Sequence, residues 1–156
     1  MIGNNCLMMI GTHIAHDCLI GNNVIFANHS TLAGHVILKD NVVVGALSAI
    51  HQFSKIGEGA MIGGMSGVTA DVVPYSTVVG NRAKLSGLNI LGLKRRNIEK
   101  KEISELRKVY KYIFHNNQNT LRERVINMKQ KEFKEQTIQI FLEFLSEDSD
   151  RSFTLP

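Results

Sequence analysis

"IGNNCLMMIGTHIAHDCL", residues 2–19, decides the fold. Ile2, Met8 and Ile14 stand six residues apart. The series continues through Ile20, Phe26, Leu32, Leu38, Val44, Ile50, Ile56, Ile62 and Val68 without a polar residue. Apolar residues make up 44% of the chain, so composition alone does not produce such a run. Four residues after each start comes a small or β-branched side chain: Cys6, Thr12, Cys18, Val24, Ser30 and Val36, then Val42, Ser48, Ser54, Ala60, Ser66 and Val72. A large residue followed by a small one at fixed spacing suits a narrow interior. Glycine often follows the start, as at Gly3, Gly21, Gly45, Gly57 and Gly63, and is expected there where the backbone turns sharply.

A period of six fits no α-helix. It fits a parallel β-helix of short strands and turns, in which each coil buries its interior against the next. Three repeats make one triangular coil of 18 residues, so residues 2–73 predict four coils. Pro74 interrupts the register, and residues 74–96 read as a connecting loop. From about residue 97 the period becomes helical. Ile103, Leu106, Val109, Tyr110, Ile113 and Phe114 form one stripe, and Ile138, Phe141, Leu142 and Leu145 form another. Between them Thr120 and Glu123 have capping-box spacing, followed by Leu121, Val125 and Met128 on one face. Residues 97–147 therefore read as three helices, and residues 148–156 as a loose tail.

The totals narrow the class. A chain of 156 residues holds one main unit with a small second one. All 13 glycines fall at or before Gly92, which divides it. The net charge of +4 is weakly basic, with a local excess in "KRRNIEKK", residues 94–101. That stretch reads equally as a solvated helix start or as a docking patch for an acidic partner. Basic residues are not interleaved with stacking aromatics, which argues against nucleic acid. Two cysteines, Cys6 and Cys18, are too few for a disulfide framework. The N-terminus lacks the charged and apolar regions of a signal peptide, and no apolar run is long enough to span a bilayer. A reducing cytoplasm and no stable membrane insertion are the expectations.

Coil arithmetic then gathers the histidines. Repeats starting at Ile14, Leu32 and Ile50 lie on the same face of successive coils, which stacks His16 over Gly34 over Gln52, and Asp17 over His35 over Phe53. His51 lies one position earlier and His13 in the repeat before, both near that edge. Three readings compete. The histidines can be tolerated surface residues. They can ligate zinc, as in the trimeric γ-type carbonic anhydrases, which have this fold and take ligands from adjacent chains. Or a neutral histidine beside an orienting carboxylate takes a proton from a hydroxyl. A backbone N–H near Gly34 then holds an oxyanion, and a direct transfer needs no serine or cysteine nucleophile.

The six-residue pattern resembles the left-handed parallel β-helix of the hexapeptide-repeat acyltransferases; the winding sense comes from that resemblance. The ordered words "HIAHDC", "TLAGHV", "IHQF", "IGGMSGV" and "GLNILGLKRR", followed by three helices, are similar to the UDP-N-acetylglucosamine O-acyltransferases of lipid A synthesis over nearly the whole chain. The fold so implied is a left-handed β-helix over residues 1–73 followed by a small C-terminal α-helical domain. The implied reaction moves an (R)-3-hydroxyacyl chain from acyl carrier protein to the glucosamine 3-hydroxyl of UDP-N-acetylglucosamine. By the same resemblance His16 is the general base, Asp17 orients its ring, and the Gly34 amide is the oxyanion donor. His13, His35, His51 and Gln52 line the cleft. Asn89 and Arg95 contact the nucleotide and its phosphates, and Gly64 stands at the acyl-chain ruler position, where a glycine admits a long chain. No metal and no cofactor is implied, since the acyl group arrives on the phosphopantetheine of the carrier. The implied assembly is a homotrimer with sites between neighbouring chains. Two departures stand out. Members of the family have further coils before the segment resembled here, so a truncated or split gene is the expectation. Leu91 also stands where a nucleotide-contacting Glu is expected. The alternatives are an inactive remnant of such an enzyme, or another hexapeptide-repeat acyltransferase, which "GLKRR" and the helices disfavour.

Overall fold

The computed structural model describes every residue except Asn117, Asp148 and Asp150. Eleven two-residue strands recur along the first part of the chain. β1 (Leu7–Met8), β4 (Ile25–Phe26), β7 (Val43–Val44) and β10 (Met61–Ile62) form one face of a triangular prism. β2 (His13–Ile14), β5 (Thr31–Leu32), β8 (Ala49–Ile50) and β11 (Gly67–Val68) form the second. β3 (Leu19–Ile20), β6 (Ile37–Leu38) and β9 (Lys55–Ile56) form the third. Every pairing among them is parallel and joins residues one coil apart: Leu7 faces Ile25, His13 faces Thr31, Leu19 faces Ile37. The four-coil β-helix read from the period is thus the observed one.

The repeat starts point inward. Phe26, Leu32, Val44, Ile56 and Ile62 are fully buried, and the small residues Val36, Val42, Ser54 and Ala60 fill the space beside them. The first coil is open at its outer edge, where Ile2, Leu7, Met8 and Ile10 are exposed.

Each coil turns three corners, and the third residue after the repeat start is left-handed at each corner from Asn5 to Met65. Asn5, Asp17, Asn23, His29, His35, Asn41, Leu47, Phe53 and Met65 all have φ between 56° and 63°. Asn and Asp visit this region readily, but a bulky side chain does so at a cost of about 1–2 kcal/mol. The glycine that follows many starts therefore has another purpose than the sharp turn expected of it. At Gly45 a Cβ would lie 2.5 Å from the Gly64 amide nitrogen. The next coil's backbone passes too close for any side chain.

The segment 74–96 is not a loop. β12 (Ser76–Val79) continues the first face by pairing in parallel with β10, and β13 (Lys84–Leu88) folds back antiparallel on it. A short helix, α1 (Ile90–Arg95), follows. The six-residue period is lost because the chain here makes a hairpin, with an irregularity between Thr77 and Val78.

The three expected helices are α2 (Lys100–His115), α3 (Leu121–Lys129) and α4 (Gln136–Ser146). Their buried faces carry the expected stripes, from Ile103, Leu106 and Ile113 to Ile138, Phe141 and Leu142. Thr120 and Glu123 make the reciprocal capping box. The described part of the tail is docked rather than loose. Ser152 and Thr154 bond the backbone of Asp71 at 3.0 and 2.7 Å, and Leu155 accepts from the Leu85 amide at 3.0 Å. The last coil leaves the N–H and C=O of Asp71 without a strand neighbour, and the tail supplies one. No helix among the described residues is long and apolar enough to cross a membrane.

Candidate active site

The first corner, between the second and third faces, holds His16–Asp17, Gly34–His35 and Gln52–Phe53 on successive coils. The stacking follows the 18-residue step: the His35 amide donates to the His16 carbonyl at 3.0 Å, and the Phe53 amide to the Gly34 carbonyl at 3.1 Å. The left-handed backbone of Asp17 turns its carboxylate back onto its neighbour, and His16 Nδ1 lies 3.0 Å from Asp17 Oδ2. The same oxygen is 3.8 Å from His35 Nε2. The hydrogen bond from His16 holds the Asp17 carboxyl below the usual carboxylate range, against an opposing effect of desolvation and with a lesser contribution from the nearby His35 ring. With Nδ1 donating to the carboxylate, the free lone pair of the His16 ring is at Nε2.

Gly34 makes this ring position available. A Cβ there would lie 2.7 Å from both Cε1 and Nε2 of His16. Gly34 is buried, and among the described residues no acceptor takes its N–H. Below it, the His35 ring meets His16 edge-on at 5.1 Å and stacks on Phe53 at 4.8 Å with 13° between the planes. The corner opens onto a cavity of about 1000 Å³ lined by His35, Phe53, Lys55, Thr69 and Arg151 among others.

The other expected residues are distributed differently. His51 and Gln52 are exposed on the third coil of the same corner, and His51 Nδ1 is 2.9 Å from Arg151 Nη2. His13 is exposed on β2, ahead of the corner. Gly64 is at the third corner, between the first and second faces, where an added Cβ would meet only Ala46, at 3.3 Å. Asn89 and Arg95 lie beside the second corner. The Asn89 amide is used within the chain, donating to the Gly59 carbonyl at 3.0 Å and accepting from the Gly92 amide at 2.9 Å. Arg95 is exposed in the last turn of α1, and Leu91 is exposed in its first. Arg96, not singled out in the sequence, pairs with Glu58 and covers the Tyr75 ring. Phe53, Asp71 and Arg151 are likewise absent from the residues expected at the site. Coil arithmetic places Phe53 under His35 without giving it a part in the site, whereas nothing local in the sequence marks Arg151.

His16, Asp17 and His35 bring three ligand-type atoms within 4.8 Å of one another. The Asp17 oxygen is already engaged by His16, which leaves a hydrogen-bonded acid–base pair as the simpler reading of the cluster.

Residues 71–154 match the family described as Udp N-acetylglucosamine O-acyltransferase, Domain 2, and residues 1–34 match the bacterial transferase hexapeptide repeats. The acyl-[acyl-carrier-protein]–UDP-N-acetylglucosamine O-acyltransferase of Paracoccus denitrificans is 44% identical over 99% of this chain and 58% of its own length. That of Rhizobium leguminosarum is 41% identical over the whole chain and 57% of its own. Solved structures of UDP-N-acetylglucosamine acyltransferase superpose on 99% of the chain: that from Campylobacter jejuni with a TM-score of 0.91 at 42% identity, covering 60% of that enzyme, and that from Arabidopsis with 0.93 at 38%, covering 56%. The chain spans less than two thirds of the length of these relatives. With a family match over residues 71–154 and relatives about 40% identical over the whole chain, the chain belongs to the UDP-N-acetylglucosamine O-acyltransferase family.

Proposed function

We propose that this chain carries the acyl-transfer centre of an O-acyltransferase acting in the first step of lipid A synthesis. It moves an (R)-3-hydroxyacyl chain from acyl carrier protein to the glucosamine 3-hydroxyl of UDP-N-acetylglucosamine. The observation that carries the reading is the His16–Asp17 pair at 3.0 Å, with the other side of the ring against Gly34.

The chemistry follows from that arrangement. Nε2 of His16 takes the proton of the sugar hydroxyl as its oxygen attacks the thioester carbonyl, and Asp17 steadies the imidazolium that forms. The carbonyl oxygen becomes an oxyanion and accepts the Gly34 N–H. Collapse breaks the carbon–sulfur bond, and the proton on His16 passes to the departing thiol. No covalent acyl-enzyme is needed and no cofactor beyond the carrier's phosphopantetheine. His13, His35, His51 and Gln52 line the path of the substrates, and Gly64 leaves room for a long acyl chain.

Asn89 and Arg95 stand at a different corner from His16 in the same chain. Their expected part in nucleotide binding therefore calls for a neighbouring copy, which supports the homotrimer. The basic stretch 94–101 faces an acidic carrier protein and acts mainly on the rate of docking. A cytoplasmic location follows from these soluble substrates.

The test is acyl transfer by the purified chain from a 3-hydroxyacyl carrier protein to UDP-N-acetylglucosamine. We expect turnover that falls roughly 10²–10⁴-fold in His16→Ala, the usual contribution of a general base. Turnover that survives the substitution removes His16 from the role. A folded chain with no turnover removes the activity from this segment.

A further inference from the structure

The tail that docks on the last coil reaches the first corner through one side chain. Arg151 places Nη2 2.9 Å from Nδ1 of His51. Arginine has donors and no acceptor, so this contact requires the lone pair on Nδ1 and the ring proton on Nε2. The other neighbour of Nδ1 is the backbone carbonyl of Gln52 at 3.2 Å. A carbonyl only accepts, so that contact requires the proton on Nδ1. The two contacts select opposite tautomers of one ring.

Arg151 is held in place for its side of this choice. Its Nη1 donates to the Thr69 carbonyl at 2.8 Å, and its amide donates to Ser149 Oγ at 3.2 Å. Ser149 in turn donates to Asp71 Oδ2 at 2.6 Å, while the Lys55 amide donates to Oδ1 of the same buried carboxylate at 2.8 Å. The backbone of Asp71 pairs with the tail at Phe153.

We propose that Arg151 is a positioning residue that fixes His51 as the Nε2–H tautomer, so that His51 offers a hydrogen-bond donor to an acceptor oxygen of the bound substrate. His16 is locked the opposite way by Asp17, with Nδ1 protonated and Nε2 accepting. Two imidazoles at one corner thus carry opposite assignments: one receives a proton and the other donates a hydrogen bond. Which nitrogen carries the proton is set by the bond the other makes. The functional half of this inference rests on the acyl-transfer reading; the tautomer itself does not.

The test uses histidine-labelled protein and long-range ¹H–¹⁵N spectra, with His51 assigned by substitution, alongside acyl-transfer kinetics. The expected result is an Nε2–H form of His51 in the parent chain. Arg151→Ala should shift it toward Nδ1–H, and Arg151→Lys, which keeps a donor, should restore it, with thermal melts unchanged in both. In the active protein, kcat should fall roughly ten- to a hundredfold in Arg151→Ala, as expected of a displaced positioning contact, and recover in Arg151→Lys. An Nδ1–H form in the parent chain, or a tautomer indifferent to Arg151→Ala, overturns the proposal. A tautomer that shifts while kcat stays at the parent value overturns its functional half. A parent chain without turnover whose His51 still follows Arg151 supports the proposal and counts only against the transferase reading.

Discussion

Gly34→Ala separates the site from the scaffold that carries it. Gly34 is not left-handed, so alanine fits its backbone, and replacing glycine at a compatible site alters stability by only about 0.4–1 kcal/mol, in the favourable direction. The new methyl would lie 2.7 Å from Cε1 and Nε2 of His16, whereas ordinary contact begins at 3.4 Å. The His16 side chain is 72% exposed, so the ring rather than the coil yields, by at least the 0.7 Å between these two distances. That displacement falls on the atom proposed to take the substrate proton. A shift of about 1 Å costs up to roughly a hundredfold in rate, so kcat should fall roughly ten- to a hundredfold. The alanine keeps the residue-34 N–H, so loss of the oxyanion donor does not explain the drop. The assay pairs steady-state acyl transfer with thermal unfolding of the same preparations. Parent-level kcat in a stable Gly34→Ala protein would refute the claim that His16 works from the position it holds against Gly34. A large loss of stability would refute the claim that the ring, and not the coil, gives way.

Two other outcomes follow from the geometry. Asp17→Asn keeps the shape but replaces the ionised carboxylate by an amide that can also donate, so it no longer dictates the Nε2 lone pair of His16; kcat should drop by roughly 10²-fold or more with little change in the KM for UDP-N-acetylglucosamine, and a loss within twofold would exclude Asp17 as the orienting group. The second concerns alkaline stability. Burial between the helices pushes the Tyr110 hydroxyl up to about 12, whereas an unfolded tyrosine titrates near ~10. The folded state therefore binds this proton more tightly, and the stability it contributes is complete below pH ~10 and lost as pH rises toward ~12. Urea unfolding across this range should show that decline, and Tyr110→Phe should lessen it, the part due to the buried Tyr75 hydroxyl, which burial also raises, remaining; a Tyr110→Phe protein with an undiminished decline would place its cause elsewhere.

The six-residue period was legible because a solenoid buries one large residue per strand in a narrow interior, and Phe26, Leu32 and Ile62 cannot be polar there. Once the period is known, position within 18 residues fixes the corner. That is why His16, Gly34 and Gln52, and Asp17, His35 and Phe53, could be stacked correctly before any coordinates. What escaped depends on contacts between segments with no shared period. β12 and β13 are strands because β10 offers an edge, and the described part of the tail is docked because Asp71 does. The bond from Asn89 to the Gly59 carbonyl was hidden because the two are 30 residues apart in sequence. The glycines misled for a related reason. In a single chain segment a glycine signals a turn, but in a stack of coils it also marks where the neighbouring coil passes, as Gly64 passes Gly45.

The same arithmetic constrains how the site is assembled. His16, Gly34, His35 and Gln52 share one corner, Gly64 belongs to the third, and Asn89 is bonded to Gly59 at the second. A prism turns its corners away from each other, so one chain offers the acid–base pair and the expected nucleotide contacts to different volumes of solvent. Bringing them onto one substrate takes a second copy whose second corner meets the first corner of its neighbour. With the roles proposed for His16, Asn89 and Arg95, turnover is expected to depend on association. Mixing a His16→Ala chain with an Arg95→Ala chain should restore part of the activity each lacks alone, because some interfaces then pair an intact first corner with an intact Arg95. If the mixture stays as inactive as its components while both assemble, the two residues do not serve a shared site.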